Sequence, residues 1–190
     1  EDGAQVAYVT IERAEKLNAL NQAQAIRLTN ALVALSDNTN LRAVVLTGAG
    51  DRAFMGGADV QELRVLNPET GRSFIRTIHD VCEAIRSCPV PVVGRVNGFC
   101  LGAGMEIAAA CDFRICAESA VFGMPEVQVG LPSVVEAALL PMLIGWGRTR
   151  WLVLTGQSID ATTAYDWGFV EFVVSLAELD QKIEQTVDTL

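Results

Sequence analysis

The stretch from Val92 to Ala110 constrains this chain more than any other. Val92-Val93-Gly94-Arg95-Val96 reads as a buried strand, and three glycines follow within seven residues (Gly98, Gly102, Gly104). Met105-Glu106-Ile107-Ala108-Ala109-Ala110 then reads as a helix of strong formers. The chain is expected to pass from strand, through a tight glycine turn, into a helix whose first backbone N–H groups have no partner within it. Such a place holds an anion, or a negative charge that exists only in a transition state. Glu106 falls in the first helical turn beside that hole. An anion hole edged by a carboxylate points to proton chemistry next to a carbonyl.

Strand and helix signals alternate along the rest of the chain. Ala7–Ile11 and Leu41–Thr47 read as strands, the second buried. Asn21 caps a helix with an apolar stripe of Ile26, Leu28, Leu32 and Leu35. Asp59 caps a short helix after Gly56-Gly57-Ala58, where paired glycines let the backbone approach a ligand closely. Asn67-Pro68 opens a longer helix bearing Phe74, Ile78, Val81 and Ile85. Asp112–Ala117 and Ala120–Gly123 read as strands, and Val134–Leu140 has helical composition. A helix over Trp151–Thr155 stops at Gly156, and Asp160 caps another that ends at Gly168. Val170–Val174 reads as a last strand. Leu176, Leu179, Ile183, Val187 and Leu190 form a helical stripe with little left to cover, which points to oligomerisation. The 190 residues contain no linker or low-complexity tract, so a single α/β domain over 1–190 is expected.

Several classes of function are disfavoured. With 51% hydrophobic and 19% charged residues the chain is not a disordered one. A net charge of −9 argues against nucleic acid as a partner. No apolar run is long enough to span a membrane, and Glu1-Asp2-Gly3 leads directly into a strand, so neither anchor nor signal peptide is expected. Cys82, Cys88, Cys100, Cys111 and Cys116 are odd in number and lack C-x-x-C spacing, as suits reduced core thiols and a cytoplasmic location. His79 is the only histidine; with Arg76 and Asp80 beside it, it reads as a surface residue. A histidine triad or a multi-histidine metal site is therefore not expected. The glycines read G-x-x-x-G-x-G rather than the dinucleotide fingerprint, and no phosphate-loop motif occurs.

Three segments, in order and spacing, resemble the crotonase superfamily of enoyl-CoA hydratases and isomerases. They are Gly56-Gly57-Ala58-Asp59-Val60, the run from Asn97-Gly98 to Gly102-Ala103-Gly104-Met105-Glu106, and Phe122-Gly123-Met124-Pro125-Glu126. Leu152-Thr155-Gly156 and Asp166-Trp167-Gly168-Phe169-Val170 also fit. The resemblance implies a spiral of repeated ββα units with flanking helices, assembly as homotrimers or homohexamers, and a coenzyme A thioester as substrate with no prosthetic group. It also implies that the chain stops short of a C-terminal helical region common in that superfamily.

Carried over residue by residue, the resemblance implies that the N–H groups of Ala58 and Ala103 hold the thioester oxygen. Gly56, Gly57, Asp59, Val60 and Gly102 would line the substrate site. Glu106 would deprotonate the water, and Glu126 would exchange the proton at the α carbon. Gln61 stands where a lysine often reaches coenzyme A phosphates; Lys16 or Arg64 are candidates to replace it. Pro132-Ser133-Val134-Val135-Glu136 replaces a glycine-rich turn and introduces Glu136, either a third acid near the acyl pocket or an exposed helical residue. Hydration of an enoyl-CoA is the expected activity. Δ3,Δ2-isomerisation, another thioester reaction on the same fold, or a silent scaffold are the alternatives.

Overall fold

Two sheets share the chain, which adds a strand to one and then to the other. The computed structural model describes residues 3–190; Glu1 and Asp2, where the expectation of no signal peptide begins, lie outside them. The first sheet is parallel, in the order β1 (Gln5–Ile11), β2 (Leu41–Gly48), β4 (Val92–Val96), β6 (Phe113–Ala117) and β9 (Phe172–Val174). The second runs β3 (Ala53–Met55), β5 (Phe99–Leu101), β7 (Val121–Gly123) and β8 (Ser158–Asp160), the last pairing antiparallel. The successive pairs β2–β3, β4–β5 and β6–β7 each place one strand in each sheet, which is the ββα spiral expected. Central strands of the first sheet are covered on both faces, so β2 is almost wholly buried and carries the apolar run Ala43-Val44-Val45-Leu46 at its centre.

The central stretch departs from its sequence reading in one respect. Between β4 and the helix α4 (Ala103–Ala110) the chain makes the extra strand β5, rather than a single turn. Gly98 allows the corner, because a Cβ there would come within 2.2 Å of the Arg52 carbonyl oxygen. The same corner carries the Phe99 N–H to that carbonyl at 3.0 Å. Residues of α4 are buried on every side, as a helix with no polar face requires. Strand β3, with three residues, is likewise too short to announce itself by alternation.

The flanking helices follow their caps. In α1 (Gln22–Leu35) the Asn21 side chain accepts from the Gln24 N–H, but Ala25 rather than Ile26 faces the core, and Ile26 is exposed. Asp59 caps α2 (Val60–Leu63) through the Gln61 N–H at 2.9 Å. A reciprocal box between Asn67 and Thr70 opens α3 (Pro68–Arg86), which buries Phe74, Ile78, Val81 and Ile85. The span Val134–Leu140 is not one helix. Residues 131–136 lie outside any helix, a 3-10 turn covers Ala137–Leu139, and α5 begins at Leu140 and runs to Ile144. Next come α6 (Trp146–Thr155), stopped by Gly156, and α7 (Ala161–Asp166), capped by Asp160.

The C-terminal stripe finds a cover within the chain. In α8 (Leu179–Val187) the side chains of Leu179, Ile183 and Val187 are buried against Ala43, Val45, Val93, Ile115 and Ala117 of the first sheet. Arg95 on β4 pins the helix from the sheet side, 2.5 Å from Asp180. The stripe therefore gives no reason for oligomerisation, contrary to its sequence reading.

Candidate active site

The hole at the start of α4 is built from two chain segments brought into contact. Gly57 and Gly102 both have positive φ, at 103° and 52°. A Cβ on Gly102 would lie 4.0 Å from the Gly57 Cα and within 2.5 Å of Glu126 Oε1. Only glycine therefore admits both this backbone and this carboxylate. Among the described residues no backbone hydrogen bond uses the N–H of Ala58 or of Ala103. Both residues line one cavity of about 430 Å³, together with Gly56, Gly57, Val60, Gly102, Glu106 and Glu126. Leu63, Leu66, Phe74, Ile78, Leu131 and Val135 add apolar lining.

Glu106 and Glu126 both line this cavity, in unlike settings. Glu106, only 2% exposed, sits on the first turn of α4. Its Oε1 accepts the backbone N–H of Glu136 at 3.1 Å and of Ala137 at 3.0 Å. Burial raises its pKa to about 7, reinforced by the negative charge of Glu126 and partly offset by those two N–H groups. Glu126 is half-buried on the 3-10 turn Pro125–Val129, and Ser133 Oγ donates to its Oε2 at 2.9 Å. Burial raises its pKa as well, while its own backbone N–H and the Ser133 hydroxyl pull it back.

Other residues singled out in the sequence have definite places. Asp59 lies beside the cavity segment with its carboxylate engaged by the Gln61 N–H and by Arg13, 2.6 Å away. Lys16 Nζ donates to Gln61 Oε1 at 2.9 Å, so a lysine does stand beside the position where one was missed. Arg64 is exposed. Glu136 is neither exposed nor helical: it is 7% exposed and its Oε1 lies 2.5 Å from His79 Nδ1. His79 lies at the surface as read, its side chain 39% exposed, but it is partnered by Glu136.

Ser133 and the N–H groups of Glu136 and Ala137 were not found by sequence reasoning. The only sign of them was the replacement of a glycine-rich turn, because a backbone donor has no residue signature. Four of the cysteines are buried, and burial pushes the Cys111 and Cys116 thiols up to about 12, so they are unreactive core residues. Among the described residues no group of three or more His, Cys, Asp or Glu could hold a metal ion, and no helix is long and apolar enough to cross a membrane.

The whole chain has counterparts among known proteins. A family model described as enoyl-CoA hydratase/isomerase matches residues 1–190. The short-chain-enoyl-CoA hydratase of Clostridium acetobutylicum is 38% identical over 180 residues, which cover 94% of this chain and 69% of that one. The crotonyl-CoA hydratase of Syntrophomonas wolfei is 35% identical over 186 residues, covering 97% and 72%. The crystal structure of an enoyl-CoA hydratase from Bacillus anthracis superposes with a TM-score of 0.93 at 37% identity, covering 97% of this chain and 72% of that chain.

Proposed function

The chain belongs to the enoyl-CoA hydratase/isomerase family, and from that premise we propose that it adds water across the α,β double bond of an enoyl-CoA thioester. The N–H groups of Ala58 and Ala103 receive the thioester oxygen as it gains enolate charge. Glu106 takes a proton from water as the water oxygen bonds to the β carbon. Glu126 delivers a proton to the α carbon, so one water is consumed and no electron is gained or lost. A second proton transfer between the carboxylates and solvent restores the starting state.

One observation carries this reading. Two carboxylates with raised pKa share a cavity with two N–H groups that no backbone acceptor among the described residues uses. A pKa near 7 suits Glu106 to act as a base at neutral pH, since a base works best when its pKa lies near the operating pH. Its Oε1 is occupied by two N–H groups, and none of the described residues donates to Oε2, which is available to a water. The apolar walls suit an acyl chain, and Lys16 beside Gln61 suits the coenzyme A phosphates.

Incubation with a panel of enoyl-CoA thioesters, with products identified by mass, tests the proposal. Gain of one water is expected; double-bond migration without mass change would favour isomerisation, and no change in any thioester would overturn enzymatic function. We extend the proposal to assembly as a homotrimer or homohexamer, which light scattering at micromolar concentration checks and a stable monomer would refute.

A further inference from the structure

His79 lies outside the cavity lining, yet it is linked to the proposed base through two steps. Its Nδ1 is 2.5 Å from Glu136 Oε1, and residues 79 and 136 are 57 apart in sequence. The backbone N–H of the same Glu136, with that of Ala137, grips Glu106 Oε1. These amides stand where the irregular stretch 131–136 meets the 3-10 turn Ala137–Leu139, and the Glu136 backbone is tied to that short turn by the Leu139 N–H on its carbonyl at 2.9 Å. Helix α3, in contrast, is capped at its start and buries Phe74, Ile78, Val81, Cys82 and Ile85. A contact from α3 to Glu136 ties an irregular segment to a rigid one.

We propose that His79 is a positioning residue for Glu106: by holding the Glu136 side chain it fixes the two amides that occupy Oε1 and leaves Oε2 to face water. The inference rests on the hydration reading for its catalytic consequence and on the contacts alone for its structural one. An ionised carboxylate only accepts, so an ionised Glu136 selects the forms of the imidazole that carry a proton on Nδ1. The contact also places a hydrogen-bond donor on a carboxylate whose negative charge acts on Glu106. Without the donor, Glu136 is a buried acid with no partner of this kind, and its segment is free to shift. A displacement of about 1 Å at a reacting group costs on the order of 100-fold in rate.

The test uses the whole chain with His79→Phe and His79→Asn, the latter placing an amide N–H near the position of Nδ1. Amide hydrogen exchange at Glu136 and Ala137 is read by NMR, and steady-state kinetics use crotonyl-CoA. His79→Phe is expected to speed exchange at both amides about tenfold or more and to lower kcat about 10–100-fold, with KM moved less than about threefold. His79→Asn is expected to restore most of both. Unchanged exchange in the Phe variant overturns the inference, as does faster exchange with wild-type kcat or a loss confined to KM. If His79→Phe does not fold, Glu136→Gln replaces it: a kcat loss of about 3–10-fold supports the inference and wild-type kcat overturns it. A wild-type protein that hydrates no enoyl-CoA, with exchange still faster in His79→Phe, overturns the hydration reading and supports the grip on Glu106.

Discussion

The two glutamates of the site stand on opposite kinds of structure. Glu106 grows from α4, a helix buried on all sides, and is held by backbone amides. Glu126 sits on a 3-10 turn with exposed neighbours and is steadied by one hydroxyl. Removing a carboxylate from water disfavours its charged form, so the buried acid is driven further, to about 7. A backbone N–H is removed only by a proline substitution, whereas Ser133→Ala removes the hydroxyl. Burial thus holds the Glu106 carboxyl near neutrality, while partial exposure leaves Glu126 accessible to solvent protons. One site obtains two acids of different strength from the environment of each, without different residue types.

Removing either charge has the largest expected effect. Glu106→Gln and Glu126→Gln should each lower kcat about 10²–10⁴-fold with thioester binding nearly intact, measured by steady-state kinetics and by binding of a saturated acyl-CoA. A silent Glu106→Gln beside an inactive Glu126→Gln would mean that a single acid does the chemistry, as double-bond migration requires. Next in size is Ala103→Pro, which removes one donor N–H at a helix position that accepts proline. The expected loss is about 10²–10³-fold, checked by kinetics alongside a crystal structure of the variant.

The difference in burial also predicts stability. The folded protein keeps a proton on Glu106 at pH values where the unfolded chain has released it, because its pKa is raised from 4.5 to about 7. Glu106 therefore lowers stability progressively as pH rises from 4.5 to about 7, and the cost is constant above that range. Glu106→Gln should stabilise the fold by about 2–4 kcal/mol at pH 8 and by little at pH 4, read from urea unfolding at both pH values. Glu126→Gln should show a smaller gain of the same sign. Equal gains would erase the contrast between the two acids.

Ser133→Ala has the smallest expected effect. It removes the hydroxyl that favours the charged form of Glu126, so that pKa should rise further. A kcat change of about 3–10-fold, with one limb of the pH–rate profile displaced upward, is the expected outcome. A profile identical to wild type would show that Glu126 is held by its backbone alone.

The sequence by itself determined features that depend on neighbours a few residues away. The caps at Asn21, Asp59, Asn67 and Asp160, the stripe of α3, and the strand over Val92–Val96 all follow from local spacing. The three motif segments also located the cavity, because glycines at 57 and 102 are required by backbone conformation. Tertiary structure alone decided what crosses long separations. Strand β5 exists because β3 and β7 flank it, and three residues carry too little alternation to be read. The α8 stripe is covered by β2, β4 and β6, which no feature of residues 176–190 reveals. The amides that hold Glu106 come from 30 and 31 residues away, and the histidine that holds Glu136 from 57. Residue type encodes side-chain chemistry and local propensity, but every non-proline residue carries the same N–H, so only the fold selects which ones face a carboxylate.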